Sequence, residues 1–313
     1  MSAVKVSVVV PVLNSSHSLE SCLASIKRNN GKYQYEVIVV DAGSTDVSME
    51  IANKYADKVI NGTPHQINRN KGIANAEGEI ICFTDSDCIV PEKWLERLAD
   101  GLRKLNKKDS KVVGVGGGNI PLLENPSLEE LAISLAMRSP FISFRARNTA
   151  NYETEQLVSH NPPLNSACFK WAIEEVQGFR EESGYPEDLD LDAKIVNRGY
   201  KLYYLPDLLV QHKHKSSFEK FARQMEDFGR KRARVNRVHK HIAGLHHYGP
   251  LLLCLMLYSP LLFIPVSMAL ANALYMSLKE HNLRLFTPIA RLTLSFYRNY
   301  GMGEIKALRR NER

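Results

Sequence analysis

The chain contains no Cys-x-x-Cys pair. Its five cysteines (Cys22, Cys82, Cys88, Cys168, Cys254) are odd in number and scattered. That argues against a disulfide framework, and the expected state is reduced, mostly buried thiols in a reducing compartment. Cys82 and Cys88 are close, but no further Cys or His lies near them in sequence, as a zinc site would require. Aromatic residues are only 8% of the chain, with two tryptophans. They do not interleave with the basic runs, and no RNA- or DNA-binding signature is present, so nucleic acid is not an expected partner. The N-terminal apolar run at residues 6–13 is too short for a secretory h-region and has no small-residue cleavage site. It reads as a first strand. Charge is missing altogether from one long block: the 29 residues 250–278 include no Asp, Glu, Lys, Arg or His.

What is present is the composition of a folded protein, 44% apolar and 24% charged over 313 residues. The formal charge of +7 is unevenly spread. Residues 212–240 hold 10 Lys/Arg against 3 Asp/Glu, and residues 279–313 hold 8 against 3. These segments carry +7 and +5, which leaves −5 for residues 1–211. Basic segments bracketing an uncharged block suggest an anionic membrane surface. About 20 apolar residues cross the ~30 Å hydrocarbon core, so the block is long enough to span with tilt. Pro260 and Pro265 interrupt it near the middle. Strong positive charge on both flanks argues against a single span. A re-entrant hairpin or helices lying in the interface, with both flanks cytoplasmic, is the expected arrangement. Arg284, Arg291 and Arg298 recur every seven residues, which predicts a surface-lying amphipathic helix over residues 283–300.

The first 120 residues alternate between β-branched apolar runs and helical patterns. Strands are expected at residues 4–11, 35–41, 58–61, 79–84 and 111–119. Helices are expected at about 14–29, 44–55, 66–76 and 91–105. Such alternation implies a mostly parallel sheet with covering helices, an α/β fold. Ligands of such sheets bind beyond the carboxyl ends of the strands. Asn14, Asp41, Asp85 and Asp87 all fall at such ends. In an extended segment residues i and i+2 point to the same side, so Asp85 and Asp87 can face one cavity. Adjacent carboxylates repel unless a cation sits near them, and a hard divalent ion suits their oxygens. Further on, helices are expected at 127–137, 192–197 and 218–238. Strands are expected at 200–206 and, separately, ending at 210–212.

Together the ordered blocks resemble family 2 glycosyltransferases of the GT-A fold. The matching blocks are Ser7 to Asn14, Val37 to Asp46, Arg69-Asn70-Lys71-Gly72, Asp85-Ser86-Asp87, Glu187-Asp188-Leu189-Asp190, and His212. The resemblance covers roughly residues 4–230. It implies a GT-A domain at residues 1–230, with a nucleotide-binding half at about 1–120 and an acceptor half at about 121–230. Residues 231–313 would be a helical, membrane-associated region like that of members building exopolysaccharide or lipid-linked glycans.

The resemblance further implies a nucleotide-diphosphate sugar donor, UDP-linked in preference to GDP-linked, and a lipid-linked or saccharide acceptor. A divalent metal, Mn²⁺ or Mg²⁺, would act as a Lewis acid on the departing diphosphate. Asp87 would be the direct metal ligand, His212 would complete the metal shell, and Asp85 would contact the ribose or metal-bound water. Asp188 would be the general base that accepts the acceptor hydroxyl proton, with Glu187 and Asp190 as neighbours whose repulsion raises one carboxyl pKa. Pro11, Val12, Asn14, Asp41, Ser44 and Asp46 would form the nucleotide-binding turns. Arg69 and Asn70 would lie near the base and diphosphate, Ser86 within the carboxylate pair, and Asn165 and Ser166 near the donor sugar and acceptor.

Many relatives carry two successive acids after the second strand, whereas here the pair is Asp41-Ala42. The Gln-x-x-Arg-Trp motif of processive polymerases is absent, so one sugar is expected per encounter. Three rivals remain. A polyprenyl-phosphate sugar synthase would need no base, because its acceptor is already ionised. A nucleotidyltransferase would need a Gly-rich basic loop after the first strand, and none is present. The third is a non-catalytic membrane scaffold with a transferase-like domain.

Overall fold

The computed structural model describes residues 5–63, 68–123, 126–143, 154–180, 186–213, 217–239 and 248–309. The first half runs β1 (Lys5–Val12), α1 (Leu19–Lys27), β2 (Gln34–Asp41), α2 (Ser48–Tyr55), β3 (Lys58–Asn61), α3 (Arg69–Ala74), β4 (Ile80–Phe83), β5 (Cys88–Ile89), α4 (Trp94–Lys108) and β6 (Val112–Pro121). Then come α5 (Leu128–Arg138), α6 (Pro140–Ser143), β7 (Gln156–Val158), β8 (Ser166–Phe169), α7 (Lys170–Glu175), α8 (Glu187–Asn197) and β9 (Lys201–His212). Four helices follow: α9 (Phe218–Val238), α10 (Gly249–Leu257), α11 (Phe263–Lys279) and α12 (Phe286–Arg309). The expected start of the third helix, Gln66, and residues 148–153 of a polar stretch expected as a loop over 148–160 lie outside the described residues.

Two compact units form: residues 1–120 with 150–212, and residues 121–149 with 213–313. The first is built on one mixed sheet of order β3-β2-β1-β4-β8-β6-β9-β5, with β7 paired to β9. Strands β3, β2, β1 and β4 are parallel, while β8 runs antiparallel to both β4 and β6. The valine-rich strands explain the layering. Successive side chains of a strand point to opposite faces. Val6, Val8 and Val10 of β1, with Val37 and Val39 of β2, pack on Leu23, Ile26, Trp94 and Leu98 of α1 and α4. Val9, Ile38 and Val40 face the other way, towards Ile73, Ile173, Leu191 and Ile195 of α3, α7 and α8. Burial on both faces is what a near-continuous apolar strand requires.

The two strands expected around 200–206 and 210–212 are one strand, β9. Pro206 has no N–H to give a ladder. It falls between the stretch that pairs with β7, Leu202 to Tyr204, and the stretch that pairs with β5, Gln211 and His212. Towards the β5 end of the sheet β6 approaches β9 so closely that a Cβ on Gly117 would lie 2.0 Å from the Leu208 carbonyl oxygen. Only glycine fits there.

The second unit is helical. Ser127 opens α5 with a capping box: its hydroxyl accepts from the Glu130 amide at 3.1 Å, and Glu130 accepts from the Ser127 amide at 2.9 Å. The uncharged block divides into α10 and α11, and Pro260 sits in the break between them. Among the described residues no helix is long and apolar enough to cross a membrane. Residues 283–300 depart from the expected surface helix. Arg284, Arg291 and Arg298 are exposed, but the opposite face of α12 buries Ile289, Leu292, Phe296 and Tyr297 in the core of this unit. Glycines allow α9 and α12 to cross in backbone contact. A Cβ on Gly229 would meet the Tyr300 carbonyl at 1.9 Å, and one on Gly303 would meet the Glu226 carbonyl at 2.0 Å.

Burial on α12 also carries a pH dependence. Desolvation holds the Glu304 carboxyl up at about 8 against an ordinary 4.5, although Arg232 and a backbone N–H at Leu251 pull the other way. Its Oε2 has no hydrogen-bond partner among the described residues. The folded state therefore binds this proton more tightly than the unfolded state. The stabilisation is complete below about pH 4.5 and is lost as pH rises towards 8, with a slope of up to ~1.4 kcal/mol per pH unit. Glu304→Gln is expected to flatten that slope and raise stability at pH 8. Denaturant unfolding at pH 5 and pH 8 checks it, and equal pH dependence in both proteins would count against this role of Glu304.

Candidate active site

The parallel register aligns the strand ends that matter. Val12 pairs with Asp41 across β1 and β2, and Val9 pairs with Phe83 across β1 and β4. The loops at 13–18, 42–47 and 84–87 therefore leave the sheet at one edge. Asn14 adopts a left-handed φ of 48°. Its amide N–H donates to the Ser44 hydroxyl at 2.8 Å, and its Oδ1 accepts from the Thr45 amide at 2.8 Å. The Asp41 carboxylate accepts from the Gly43 and Ser44 amides at 3.0 and 2.9 Å and from the Ser44 hydroxyl. Asp46 accepts from the Ser16 and Ser48 amides, each at 3.0 Å. The Ser48 side chain foremost, with the Ser16 side chain and these two amides, holds its carboxyl well below the usual range against the effect of burial. Asn14, Asp41, Ser44 and Asp46 thus stitch two turns together. Pro11 and Val12 lie in β1, and the Val12 carbonyl accepts from the Ala42 amide at 2.8 Å.

Arg69, 8% exposed, is the electrostatic hub. One guanidinium nitrogen donates to Asp85 at 2.7 Å, and another pairs with Glu187. Burial works against its charge, but Asp85, Glu187 and Asp188 outweigh that and raise its pKa. Asn70 bonds to the backbone of Phe179. Its amide donates to the Phe179 carbonyl at 2.7 Å and accepts from the Phe179 amide at 2.9 Å, so it clamps the turn at 178–179. Ser86 shares a hydrogen bond with Ser15 at 2.8 Å.

His212 reaches Asp87 through strand pairing. β5 and β9 run antiparallel with Cys88 opposite His212, which brings His212 Nε2 to 3.4 Å from Asp87 Oδ1. Asp87, Cys88 and His212 cluster closely enough to share one ion. Burial pushes the Cys88 thiol pKa far up, so Cys88 is a neutral thiol and a poor partner for a hard cation. One carboxylate and one imidazole fit a hard ion that takes its remaining ligands from phosphate oxygens and water.

Glu187, Asp188 and Asp190 occupy the first turn of α8, where the helix dipole favours negative charge. The mutual repulsion expected of them is met by cations. Glu187 pairs with Arg69, and the fully buried Asp190 pairs with Lys194 at 2.8 Å and Arg180 at 3.5 Å. Asp188 lines a cavity of about 20 Å³ with Ser166, Asn161 and Asp192, roomy enough for about one water. Asp192, one helical turn on, accepts from His160 Nδ1 and the Asn161 amide at 2.8 and 2.7 Å. Burial raises its carboxyl pKa, against the opposing pull of His160. The other ring nitrogen, His160 Nε2, stands 3.7 Å from Asp188 Oδ2.

Sequence reasoning missed this Asp192–His160–Asp188 chain. The i, i+4 spacing of Asp188 and Asp192 was an available signal, since it puts both on one helical face; nothing local marks His160. His160→Gln is expected to lower kcat about 10- to 100-fold through misorientation of Asp188, with the donor KM retained. Steady-state kinetics from pH 5 to 9 check this, and an unchanged kcat and pH profile would reduce His160 to packing.

Asn165 corrects an expectation. It is fully buried, and its amide is committed to the interior. It donates to the Gly118 and Leu208 carbonyls and accepts from the Trp94 indole N–H, all at 2.8 Å. Asn165 is a core hydrogen-bond hub, and leaving those groups unpaired in the interior would be costly.

The sequence profile described as glycosyl transferase family 2 matches residues 7–168, just over half of the chain. A curated relative, the dolichyl N-acetyl-alpha-D-glucosaminyl phosphate 3-beta-D-2,3-diacetamido-2,3-dideoxy-beta-D-glucuronosyltransferase of Methanococcus voltae, is 23% identical over 95% of each chain. The O-antigen chain rhamnosyltransferase WbaN of Salmonella anatum is 27% identical over 57% of this chain and 56% of its own. Among solved structures, the mannosyltransferase PcManGT of Pyrobaculum calidifontis, in complex with GDP-Man and Mn²⁺, superimposes with a TM-score of 0.60 at 18% identity, covering 99% of this chain and 88% of that one. Residues 1–349 of S. aureus TarS in complex with UDP-GlcNAc give 0.54 at 18% identity, covering 98% and 92%. At such identities the structural likeness is one of fold, the GT-A-like α/β arrangement.

Proposed function

This chain belongs to glycosyl transferase family 2 and is a glycosyltransferase, and from that premise we propose a metal-dependent, inverting reaction at the cytoplasmic membrane face. The sugar moves from a nucleotide-diphosphate donor, UDP-linked in preference to GDP-linked, to a lipid-linked or saccharide acceptor. The observation that carries the metal assignment is the 3.4 Å approach of His212 to Asp87 across the β5–β9 pairing. A divalent ion held there supplies Lewis-acid stabilisation of the departing diphosphate.

Asp188 takes the acceptor hydroxyl proton, and His160, held by Asp192, fixes its orientation. Arg69 ties the Asp85 loop to the start of α8, so the donor and base sides are held by one side chain. A single displacement inverts the anomeric centre. The stitched turns at Asn14, Asp41, Ser44 and Asp46 shape the nucleotide site with Pro11, Val12, Asn70 and Ser86. The functional division we propose follows the two compact units: a transferase domain on residues 1–120 with 150–212, and a membrane-associated helical region on residues 121–149 with 213–313, in place of the boundary at 230/231, which would cut α9. The Methanococcus voltae relative is named for a dolichyl phosphate-linked acceptor, which supports a lipid-linked acceptor here.

Calorimetric titration with UDP and GDP, each with and without Mn²⁺, tests the donor site. Metal-dependent binding of one nucleotide is expected and names the donor class. Binding of neither under any metal condition overturns the donor site and favours a non-catalytic scaffold. Membrane association is tested by vesicle pelleting of the full chain. Binding to anionic vesicles that weakens with salt is expected, and absence of binding would remove the membrane face from the proposal.

A further inference from the structure

We propose that the helical unit carries a binding groove for a long-chain polyprenyl-type lipid phosphate; this rests on the reading that the acceptor is lipid-linked. The groove has a volume of about 710 Å³, within the range of small-molecule sites. Phe218, Ala222, Leu257, Val266 and Leu294 give it apolar walls, and no carboxylate lines it. Two cations do: Arg291 and Arg298, both exposed on α12. Neither is ion-paired among the described residues. The Arg291 guanidinium carbon lies 4.0 Å from the Phe218 ring centroid, a cation–π contact that uses the face of the fork and not its N–H donors, which can then serve an anion.

Seven residues of helix separate the two Cα atoms by about 10 Å along the axis, a gap that two long side chains can close from both ends. Guanidinium forks match phosphate oxygens in charge and geometry. Apolar walls reject the headgroup and suit a hydrocarbon tail. Tyr258, which lines the groove, is 65% exposed, and the next apolar residues along the chain, Leu261, Leu262 and Phe263, are 45, 50 and 60% exposed. An uncovered apolar strip beginning at the groove wall marks an interaction surface. A lipid tail is the occupant that uses the strip and the arginines together. A sugar or nucleotide would leave the apolar walls unused, and a neutral lipid would leave the cations unused.

The test uses the full chain in detergent micelles with fluorescent farnesyl phosphate as the probe. Saturable binding is expected, weakened about tenfold or more in Arg291→Gln/Arg298→Gln and blocked in Ala222→Trp, which fills the groove. Farnesol should bind more weakly than the phosphate, and inorganic phosphate alone should not compete. Equal affinity in wild type and the double variant overturns the proposal. So does equal binding of farnesol, and so does equal displacement by phosphatidylglycerol, which would make the site a general headgroup patch. UDP and GDP titrations on the same variants separate the two readings. Loss of nucleotide binding in the wild type with arginine-dependent probe binding intact sinks the donor site alone. Intact nucleotide binding with arginine-independent probe binding sinks the groove alone.

Discussion

Asp188→Asn is expected to lower kcat by about 10²- to 10⁴-fold, the contribution of a positioned general base. The amide keeps the size and planarity of the carboxylate but cannot accept the acceptor proton. Nucleotide affinity should stay near wild type, because the turns proposed to hold the donor are stitched by Asn14, Asp41, Ser44 and Asp46 and make no use of Asp188. The fold should persist as well, since Asp188 is about a third exposed and its neighbours Glu187 and Asp190 hold their own cations. Steady-state kinetics with calorimetry on the same preparation separate the two effects. Full activity of the variant on bare polyprenyl phosphate would identify a polyprenyl-phosphate sugar synthase, whose ionised acceptor needs no base. Full activity on a hydroxyl acceptor would remove Asp188 from the mechanism.

Asp87→Ala is expected to abolish metal-dependent nucleotide binding and to reduce turnover by at least about 10³-fold, given the several kcal/mol that a Lewis acid contributes to charge stabilisation. His212→Ala should be milder and partly rescued by high Mn²⁺, because one carboxylate with phosphate oxygens still holds a hard ion. The informative result is the contrast between the two variants in a Mn²⁺ titration followed by nucleotide binding. Identical, metal-independent nucleotide affinity in wild type and Asp87→Ala would dismiss the metal role. Asp87 is more than a third exposed, so loss of binding with an unchanged unfolding midpoint reads as a site effect.

Much of this was legible from the chain alone, and the reason is locality. Val6 to Val10 and Val37 to Val40 are β-branched runs whose burial on two faces is written in their continuity. Strand ends at Asp41 and Asp85 follow from where those runs stop. Other features had no local signature. Pro206 reads as a strand breaker, yet β9 continues through it because its missing N–H falls between two pairing partners. Asn165 reads as a polar site residue, yet Trp94, 71 residues away, and Leu208, 43 away, draw it into the core. The amphipathic period of α12 told that one face is polar; it did not tell that the other face is the core of a helical unit.

The sequence by itself determined the α/β alternation, the family, the uncharged block with its basic flanks, and the carboxylates at Asp85, Asp87 and Asp188. All of these are patterns within a few residues or ordered blocks along the chain. The tertiary structure showed how His212 and Asp87, which the resemblance already paired, meet through one antiparallel register, and it alone placed Arg69 between Asp85 and Glu187 and His160 between Asp192 and Asp188. It also decided that residues 121–149 join the C-terminal helices as one compact unit. Hydrophobic period and turn chemistry act over one or two turns of chain. Pairs such as Arg69 with Glu187, 118 residues apart, and His160 with Asp192, 32 apart, are chosen by the packing of whole elements, to which each residue's local pattern is blind.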